Sequence, residues 1–243
     1  MTVLSQEQRA TSLEAMTSQK FDVLVIGGGV TGAGIALDAA ARGLSTAVVD
    51  AQDWAAGTSS RSSRLVHGGL RYLYNLDFKL VAEALRERSR LLTTIAPHLV
   101  EAQPFLWPLK TPVIERAYSA VGVGMYDALA RIGSRGRKTV PIQRHLSKAG
   151  AMRRFPEIKR DALVGAIEFY DARVDDARLV ITLIRTAVKY GAAAASRVKV
   201  TEILKDGRGR ACGVKAVDLE TGNELTIEAD RIINATGVWT EQT

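Results

Sequence analysis

The chain has 243 residues, of which 47% are hydrophobic and 24% charged, with 21 glycines and one cysteine. That length suits one large domain or two small ones, and the composition excludes a disordered, collagen-like or disulfide-stapled protein. Thirty-three Lys and Arg against 26 Asp and Glu leave a formal charge of +7. The excess sits between Arg131 and Arg160, where ten basic residues face one acid, Glu157, so this stretch is +9 and the remainder −2. The lone Cys212 permits no intrachain disulfide and favours a reducing compartment. No stretch reaches the roughly 18 uninterrupted apolar residues of a membrane-spanning helix. The best candidate, Tyr118 to Ile132, is cut by Asp127 and Arg131.

In chain order, residues 1–20 are polar and are expected to form a mobile leader or one marginal surface helix. Phe21 to Ile26 (FDVLVI) is a short apolar run ending in glycines, the pattern of a strand buried on both faces of a parallel sheet. Gly27 to Gly34 opens a helix that should stop near Gly43, and Ser45 to Asp50 (STAVVD) forms the next strand. Strand, glycine turn, helix and strand within about 30 residues make a βαβ unit, whose crossover is right-handed.

A Ser- and Thr-rich loop follows, and then an amphipathic helix from Leu76 to Ile95, with Asp77 as its cap and Pro97 beyond its end. Pro104, Pro108, Pro112 and Pro141, with glycines between them, give residues 97–160 the character of an irregular basic insertion. Asp175 and Asp176 cap a second long helix that stops at Gly191. Strands are expected at Ser196 to Leu204, Cys212 to Leu219, Leu225 to Ile227 and Arg231 to Ala235, with turns at Asp206 to Gly209 and Thr221 to Asn223. The expected organisation is a leader (1–20), a nucleotide-binding core with its following helix (21–96), the insertion (97–160), and the remaining helix and strands (161–243).

Gly27, Gly29 and Gly32, with Gly28 in the first gap, spell G-x-G-x-x-G where a strand becomes a helix. The first glycine allows the tight turn, the second lets a pyrophosphate approach the backbone, and the third lets helix and strand pack closely. Asp50, at the end of the second strand, is placed to accept a hydrogen bond from an adenosine ribose hydroxyl. These features point to a dinucleotide and leave FAD and NAD open. The loop Gly57 to Leu73 (GTSSRSSRLVHGGLRYL) supplies hydroxyls at Thr58, Ser59, Ser60, Ser62 and Ser63, then paired glycines at 68 and 69. Composition alone reads it as a flexible polar loop. His98, His145 and Cys212 show no metal-ligand spacing. The basic segment lacks interleaved aromatics, which argues against nucleic acid and leaves a solvated surface or an anionic lipid or substrate.

The stretch GTSSRSSRLVHGGLRYL, with VLVIGGGVTGAGIALDAAARGLS, EALRERSRLL, APHLV, VDDARLV and INATGVW, resembles the FAD-dependent glycerol-3-phosphate dehydrogenases from about residue 21 to the last. The resemblance implies an α/β fold with an FAD-binding Rossmann-like βαβ domain. It implies flavin-dependent oxidation of sn-glycerol 3-phosphate to dihydroxyacetone phosphate, with electrons passed to a membrane quinone. The enzyme would be cytoplasmic and peripherally attached to the membrane, with oligomeric state left open. FAD contacts are implied at Gly27, Gly28, Gly29, Gly32, Asp50, Thr58, Ser59, Ser60, Ser63, His67, Gly68, Gly69, Val198, Ala235, Thr236 and Gly237. The strand near Arg197 and Val198 is implied to lie against the adenine.

For the substrate, Arg71 is the leading candidate, because its guanidinium fork matches a phosphate bidentately. Tyr72 offers a hydroxyl beside it, or simply packs. His67 has a pKa suited to proton transfer, yet a loop histidine satisfying backbone groups is the simpler reading, and the general base stays unassigned. Position 50 is Asp where the family often has Glu. The family also continues well past Gly237, so the chain is expected to be an N-terminal portion. Alternatives are an amine- or 2-hydroxy-acid-oxidising flavoenzyme of the same fold, and a non-catalytic dinucleotide-binding remnant.

Overall fold

The structure is a computed structural model that describes residues 4–69, 72, 75, 77–111, 124, 128 and 140–242. The chain forms two compact units, residues 1–63 with 176–243, and residues 64–175. In chain order the elements are α1 (Gln6–Ser18), β1 (Phe21–Ile26), α2 (Val30–Ala41), β2 (Thr46–Asp50), β3 (Leu65–Val66), α3 (Phe78–Arg90), β4 (Val100–Leu109), β5 (Arg144–Ser147), α4 (Lys148–Arg154), β6 (Gly165–Val174), α5 (Asp176–Lys189), β7 (Ala193–Ser196), β8 (Val198–Lys205), β9 (Ala211–Asp218) and β10 (Glu224–Asn234). Short 3-10 turns lie at Thr58–Ser60, Arg160–Ala162 and Gly237–Gln242, and a π turn, Leu91–Ile95, extends α3.

The first unit is built on a six-stranded sheet of order β7-β2-β1-β10-β9-β8. β7, β2, β1 and the second half of β10 are parallel, while β10, β9 and β8 form an antiparallel meander. The side chains of β1 feed two cores. Val23 and Val25 join α2 and α5 on one face, and Phe21, Leu24 and Ile26 join Met16, Val198, Val214 and Ile227 on the other. Both faces of β1 are covered, which is why it reads as a continuous apolar run. Helix α2 buries only small residues, Gly32, Ala33, Ala36, Ala39 and Ala40, so its backbone lies close to the sheet.

Two features depart from the expected elements. The two short strands from Leu225 to Ala235 are one strand, β10, whose first half pairs with β9 and whose second half pairs with β1. The single strand expected at Ser196 to Leu204 is divided at Arg197, whose φ of 61° turns the chain between β7 and β8. Of the two forms expected for the polar segment 1–20, the chain takes the helix, α1, started by Ser5, whose hydroxyl accepts the Gln8 N–H at 3.1 Å.

What docks α1 is largely polar. β7 is the outer strand of the sheet, and α1 takes up its outward backbone groups. The Ala194 N–H donates to the Ser12 hydroxyl (3.1 Å), Gln8 Nε2 donates to the Ala194 carbonyl (3.2 Å), and Arg9 Nε donates to the Ser196 carbonyl (3.1 Å). A helix that covers an edge in this way removes a template for unwanted strand pairing.

In the second unit β6 is central. β4 runs antiparallel to its whole length, while β3 pairs with Ala172 and Arg173, and β5 with Gly165 to Glu168. This pairing gathers 64–96 and 161–175 with the segment between them. β4 contradicts the irregular reading of 97–160. Pro104 and Pro108 lie within a ten-residue strand that, among the described residues, pairs on one side only, and an edge strand tolerates proline's missing N–H. Phe105 and Phe169 stack across the pair with centroids 5.5 Å apart. Arg88, 1% exposed, pairs with Asp171 at 2.8 Å, and Asp171 also accepts the Gly68 N–H at 3.0 Å.

Arg9 also donates to Asp218, which is 2% exposed and accepts from the Glu220 N–H and the Thr221 hydroxyl as well. Burial alone pushes the Asp218 carboxyl up, but the hydrogen bonds from Arg9, Glu220 and Thr221 prevail and hold it below the usual range. A depressed folded pKa contributes stability that is full above the unfolded value, about 3.9, and is lost as pH falls through the folded value. The melting temperature of Asp218→Asn should therefore lie below that of the natural chain at pH 7, with the gap closing below about pH 4. Melts followed by circular dichroism across that range check this, and a gap that persists in acid would refute it.

Candidate functional site

The C-terminal ends of β1, β2 and β10 meet at the glycine turn. Gly27 has φ of 112°, a left-handed value that favours glycine, and a Cβ there would overlap the Ala235 carbonyl in the turn after β10. A Cβ on Gly32 would overlap the Gly27 carbonyl, so the first turn of α2 sits directly on the turn it follows. Gly28 lies beneath the Trp54 ring. Around Gly29 an added Cβ would meet only the Ser59 hydroxyl, at 3.4 Å.

Side chains then hold the backbone in place. Asp50 accepts the Gly28 N–H on Oδ2 (2.5 Å) and the Gln52 N–H on Oδ1 (2.7 Å), bridging the end of β2 to the glycine turn. A carboxylate offers about four acceptor positions, so capacity remains for a ribose hydroxyl. The Ser59 hydroxyl accepts the Val30 N–H at 2.9 Å, in place of a side-chain cap from Gly29. No acidic residue occupies the first turn of α2, so its positive dipole end is free of a competing carboxylate there. After β10, Asn234 Oδ1 accepts both the Thr236 N–H (3.1 Å) and the Thr236 hydroxyl (2.6 Å), an Asx turn that shapes 234–236.

These parts enclose a cleft of about 560 Å³, within the size range of small-molecule sites. It brings together Gly27, Gly29, Asp50, Thr58, Ser59, Val198, Ala235, Thr236 and Gly237 of the expected contacts. Gly28 and Gly32 are buried beneath it, Ser60 donates to the Gly57 carbonyl (3.2 Å), and Ser63 is exposed at the end of the unit. In the second unit His67 is exposed and Gly68 is held by Asp171. Gly69, with φ of 78°, receives the Tyr72 ring, and its carbonyl accepts the Tyr72 N–H at 2.8 Å. Tyr72 therefore packs on this turn, half-buried. Arg71 lies outside the described residues.

Gln52, Lys199, Trp239 and Asp176 also line the cleft, none of them among the expected cofactor contacts. Asp176, read as a helix cap, accepts the Ser62 hydroxyl at 2.6 Å, so it also ties the 58–62 loop to the start of α5. Trp239 rests its indole against Gly57, where a Cβ would come within 2.9 Å of the ring. Trp239 belongs to the INATGVW motif and Asp176 to VDDARLV, and Lys199 follows Val198 in the strand expected against the adenine, so the motifs contain or adjoin all three although none is named as a cleft residue from sequence. Among the described residues no group of three His, Cys, Asp or Glu is placed to hold a metal ion, and no helix is long and apolar enough to cross a membrane.

The arrangement suits a dinucleotide: a side-chain-free turn for the pyrophosphate, a helix N-terminus behind it, and an acid at the end of the second strand. A βαβ unit carrying that cradle defines a dinucleotide-binding α/β protein. The chain belongs to the DAO family of FAD dependent oxidoreductases, whose sequence pattern matches residues 22–243. It is 51% identical over 239 residues to the glycerol-3-phosphate dehydrogenase of Mycobacterium leprae, covering 98% of this chain and 40% of that protein. It is 41% identical over 241 residues to the alpha-glycerophosphate oxidase of Streptococcus pyogenes serotype M1, covering 98% and 39%. The crystal structure of the Bacillus halodurans glycerol-3-phosphate dehydrogenase complexed with FAD matches with a TM-score of 0.70 and 31% identity, over 98% of this chain and 38% of that one. The chain thus spans about two fifths of the length of these relatives.

Two glycines of α2 separate the constraint from simple helix propensity. Gly32→Ala places a Cβ into the Gly27 carbonyl and should destabilise by about 1–3 kcal/mol. Gly34→Ala meets no atom within 4 Å and should stabilise by about 0.5–1 kcal/mol. Urea unfolding of the two variants checks the opposite signs.

Proposed function

We propose that this chain is the FAD-binding portion of an enzyme that oxidises sn-glycerol 3-phosphate to dihydroxyacetone phosphate and passes the electrons to a membrane quinone. The reading is carried by the glycine-turn cleft in a chain 51% identical, over nearly its whole length, to a glycerol-3-phosphate dehydrogenase. In it, Gly27, Gly28, Gly29 and Gly32 with the start of α2 hold the pyrophosphate, Asp50 accepts from the adenosine ribose, and Val198 packs against the adenine. Thr58, Ser59, Ser60, Ser63 and the turn Ala235–Thr236–Gly237 supply hydroxyl and backbone contacts along the cofactor, and the sequence resemblance assigns further cofactor contacts to His67, Gly68 and Gly69. FAD, when bound, supplies the ring that accepts the hydride from C2 of the polyol.

The protein's own contribution is binding, orientation and charge neutralisation. Arg71 pairs with the substrate phosphate, its planar fork matching two phosphate oxygens, and Tyr72 orients the substrate from the same loop. The purified chain is expected to carry the flavin absorption, and anaerobic glycerol 3-phosphate to bleach it. A flavin bleached by an amino acid or a 2-hydroxy acid and not by glycerol 3-phosphate would move the reading to another substrate class. A folded chain that takes up no FAD would overturn it.

Attachment at the cytoplasmic face of a membrane belongs to the same proposal. Arg144, Lys148, Arg153, Lys159 and Arg160 are exposed, and Ile142 (49%) and Phe155 (50%) expose apolar surface among them. Exposed cations with apolar side chains between them suit an anionic lipid surface. The chain is expected to sediment with vesicles containing phosphatidylserine at low salt and to be released at high salt. Failure to sediment at low salt would rule this out.

A further inference from the structure

Arg9 lies on α1 and takes no part in lining the cleft. Its guanidinium nevertheless reaches two places at once: Nε donates to the Ser196 carbonyl at 3.1 Å, and Nη2 donates to Asp218 Oδ1 at 2.5 Å. Nη1 lies 3.2 Å from Glu220 Oε2. Ser196 and Asp218 are the last residues of β7 and β9, and each leads into the same corner. Arg197 follows Ser196, and its carbonyl accepts the N–H of Leu219, the residue after Asp218, at 2.8 Å. The Arg197 N–H donates to the Gln52 carbonyl at 3.1 Å. Arg9 thus braces the residue before each half of this backbone pairing.

The corner requires bracing. Arg197 has φ of 61° although it is not glycine, and such a conformation persists only where the surroundings over-determine it. Its own side chain is exposed, so the hold comes from the backbone bonds and from the arginine beneath. Immediately beyond the corner, Val198, Lys199 and Val200 form one wall of the cleft. Gln52, bonded to the corner from the other side, lines the cleft too, and its N–H holds Asp50.

We infer that Arg9 is a positioning residue for the adenosine end of the cofactor site: by bracing Ser196 and Asp218 across the Arg197 corner, it sets the Val198–Val200 wall. The inference rests on the proposed reading that FAD occupies this cleft. A guanidinium is needed because carbonyl and carboxylate are met by different nitrogens of one rigid plane. An ammonium is a single point charge and retains one contact at the expense of the other.

The test compares FAD with FMN, which carries the flavin ring and one phosphate but no adenosine. Both are titrated by flavin fluorescence into the full chain as it stands and into Arg9→Met, Arg9→Lys and Arg42→Met. Arg42 serves as control because its ion pair with Asp38 on α2 is exposed. Losing a charged hydrogen-bonding group should weaken FAD roughly tenfold in Arg9→Met, with Arg9→Lys intermediate, while FMN affinity stays within about twofold. Arg42→Met should bind both flavins as the natural chain does.

Amide hydrogen exchange on the flavin-free chain gives a readout independent of the cofactor. Arg9→Met should speed exchange at Val198 to Val200 without speeding it at Leu24 and Val25 in β1. Unchanged FAD affinity in a folded Arg9→Met chain would overturn the inference. So would an equal weakening of FAD and FMN with exchange accelerated through β1, since that describes general loosening. If the natural chain binds neither flavin, the cofactor reading fails, and with it the role assigned here; accelerated exchange at Val198 to Val200 would then show a brace that serves the fold alone.

Discussion

Three stretches of backbone meet at one point of this protein with no room for a side chain between them. They are the turn after β1, the first turn of α2 and the turn after β10. A Cβ on Gly27 would enter the Ala235 carbonyl, and one on Gly32 would enter the Gly27 carbonyl. Hydrogen bonds close the junction: Gly27 donates to Val49 (2.8 Å) and Ala235 donates to Ile26 (2.8 Å). This requirement for bare backbone ranks above the hydrophobic core in defining the site. The core supplies the force that presses α2 onto the sheet, but the small residues Gly32, Ala33 and Ala36 determine how closely it can come.

A surface of backbone N–H groups is useful to an anionic ligand only if those groups are held still, and short polar side chains do the holding. Asp50 ties Gly28, Ser59 ties Val30, and Asn234 ties Thr236. Each joins a residue of one loop to the backbone of its own or a neighbouring segment, so the rim is preorganised without bulk. Arg9 extends this scheme one step outward, since it braces the Arg197 corner from a helix that does not line the cleft. In the other unit the same device appears as a buried pair, where Arg88 neutralises Asp171 and Asp171 holds the Gly68 N–H. Two charges kept so far from water persist because each partner is hydrogen-bonded in addition to being paired.

The family relationship and the geometry bear on different questions. The match of the DAO pattern to residues 22–243 establishes membership of the FAD dependent oxidoreductases, while the cleft explains physically why the glycines of this chain stand where they do. A shorter acid at position 50 does not break that logic, because Asp50 reaches both the Gly28 and Gln52 amides from the end of β2.

Local signals were enough to read the βαβ unit and its cradle. FDVLVI, the glycines at 27, 29 and 32, the stop near Gly43, the Asp77 cap and the turn at Gly191 all depend on forces acting within a few residues: burial on both faces, φ sign and end-group hydrogen bonding. Folding decided what distant residues do to one another. The prolines of β4 became acceptable because, among the described residues, that strand pairs on one side, and the strand of 224–234 stayed continuous because two different partners meet it in succession. Arg197 adopts a left-handed turn that nothing in its residue type announces, and the polar helix α1 docks because an outer strand presents backbone groups for it to satisfy. Pattern and propensity are properties of neighbours in sequence, whereas edges, corners and clefts exist only once strands far apart in the chain lie side by side.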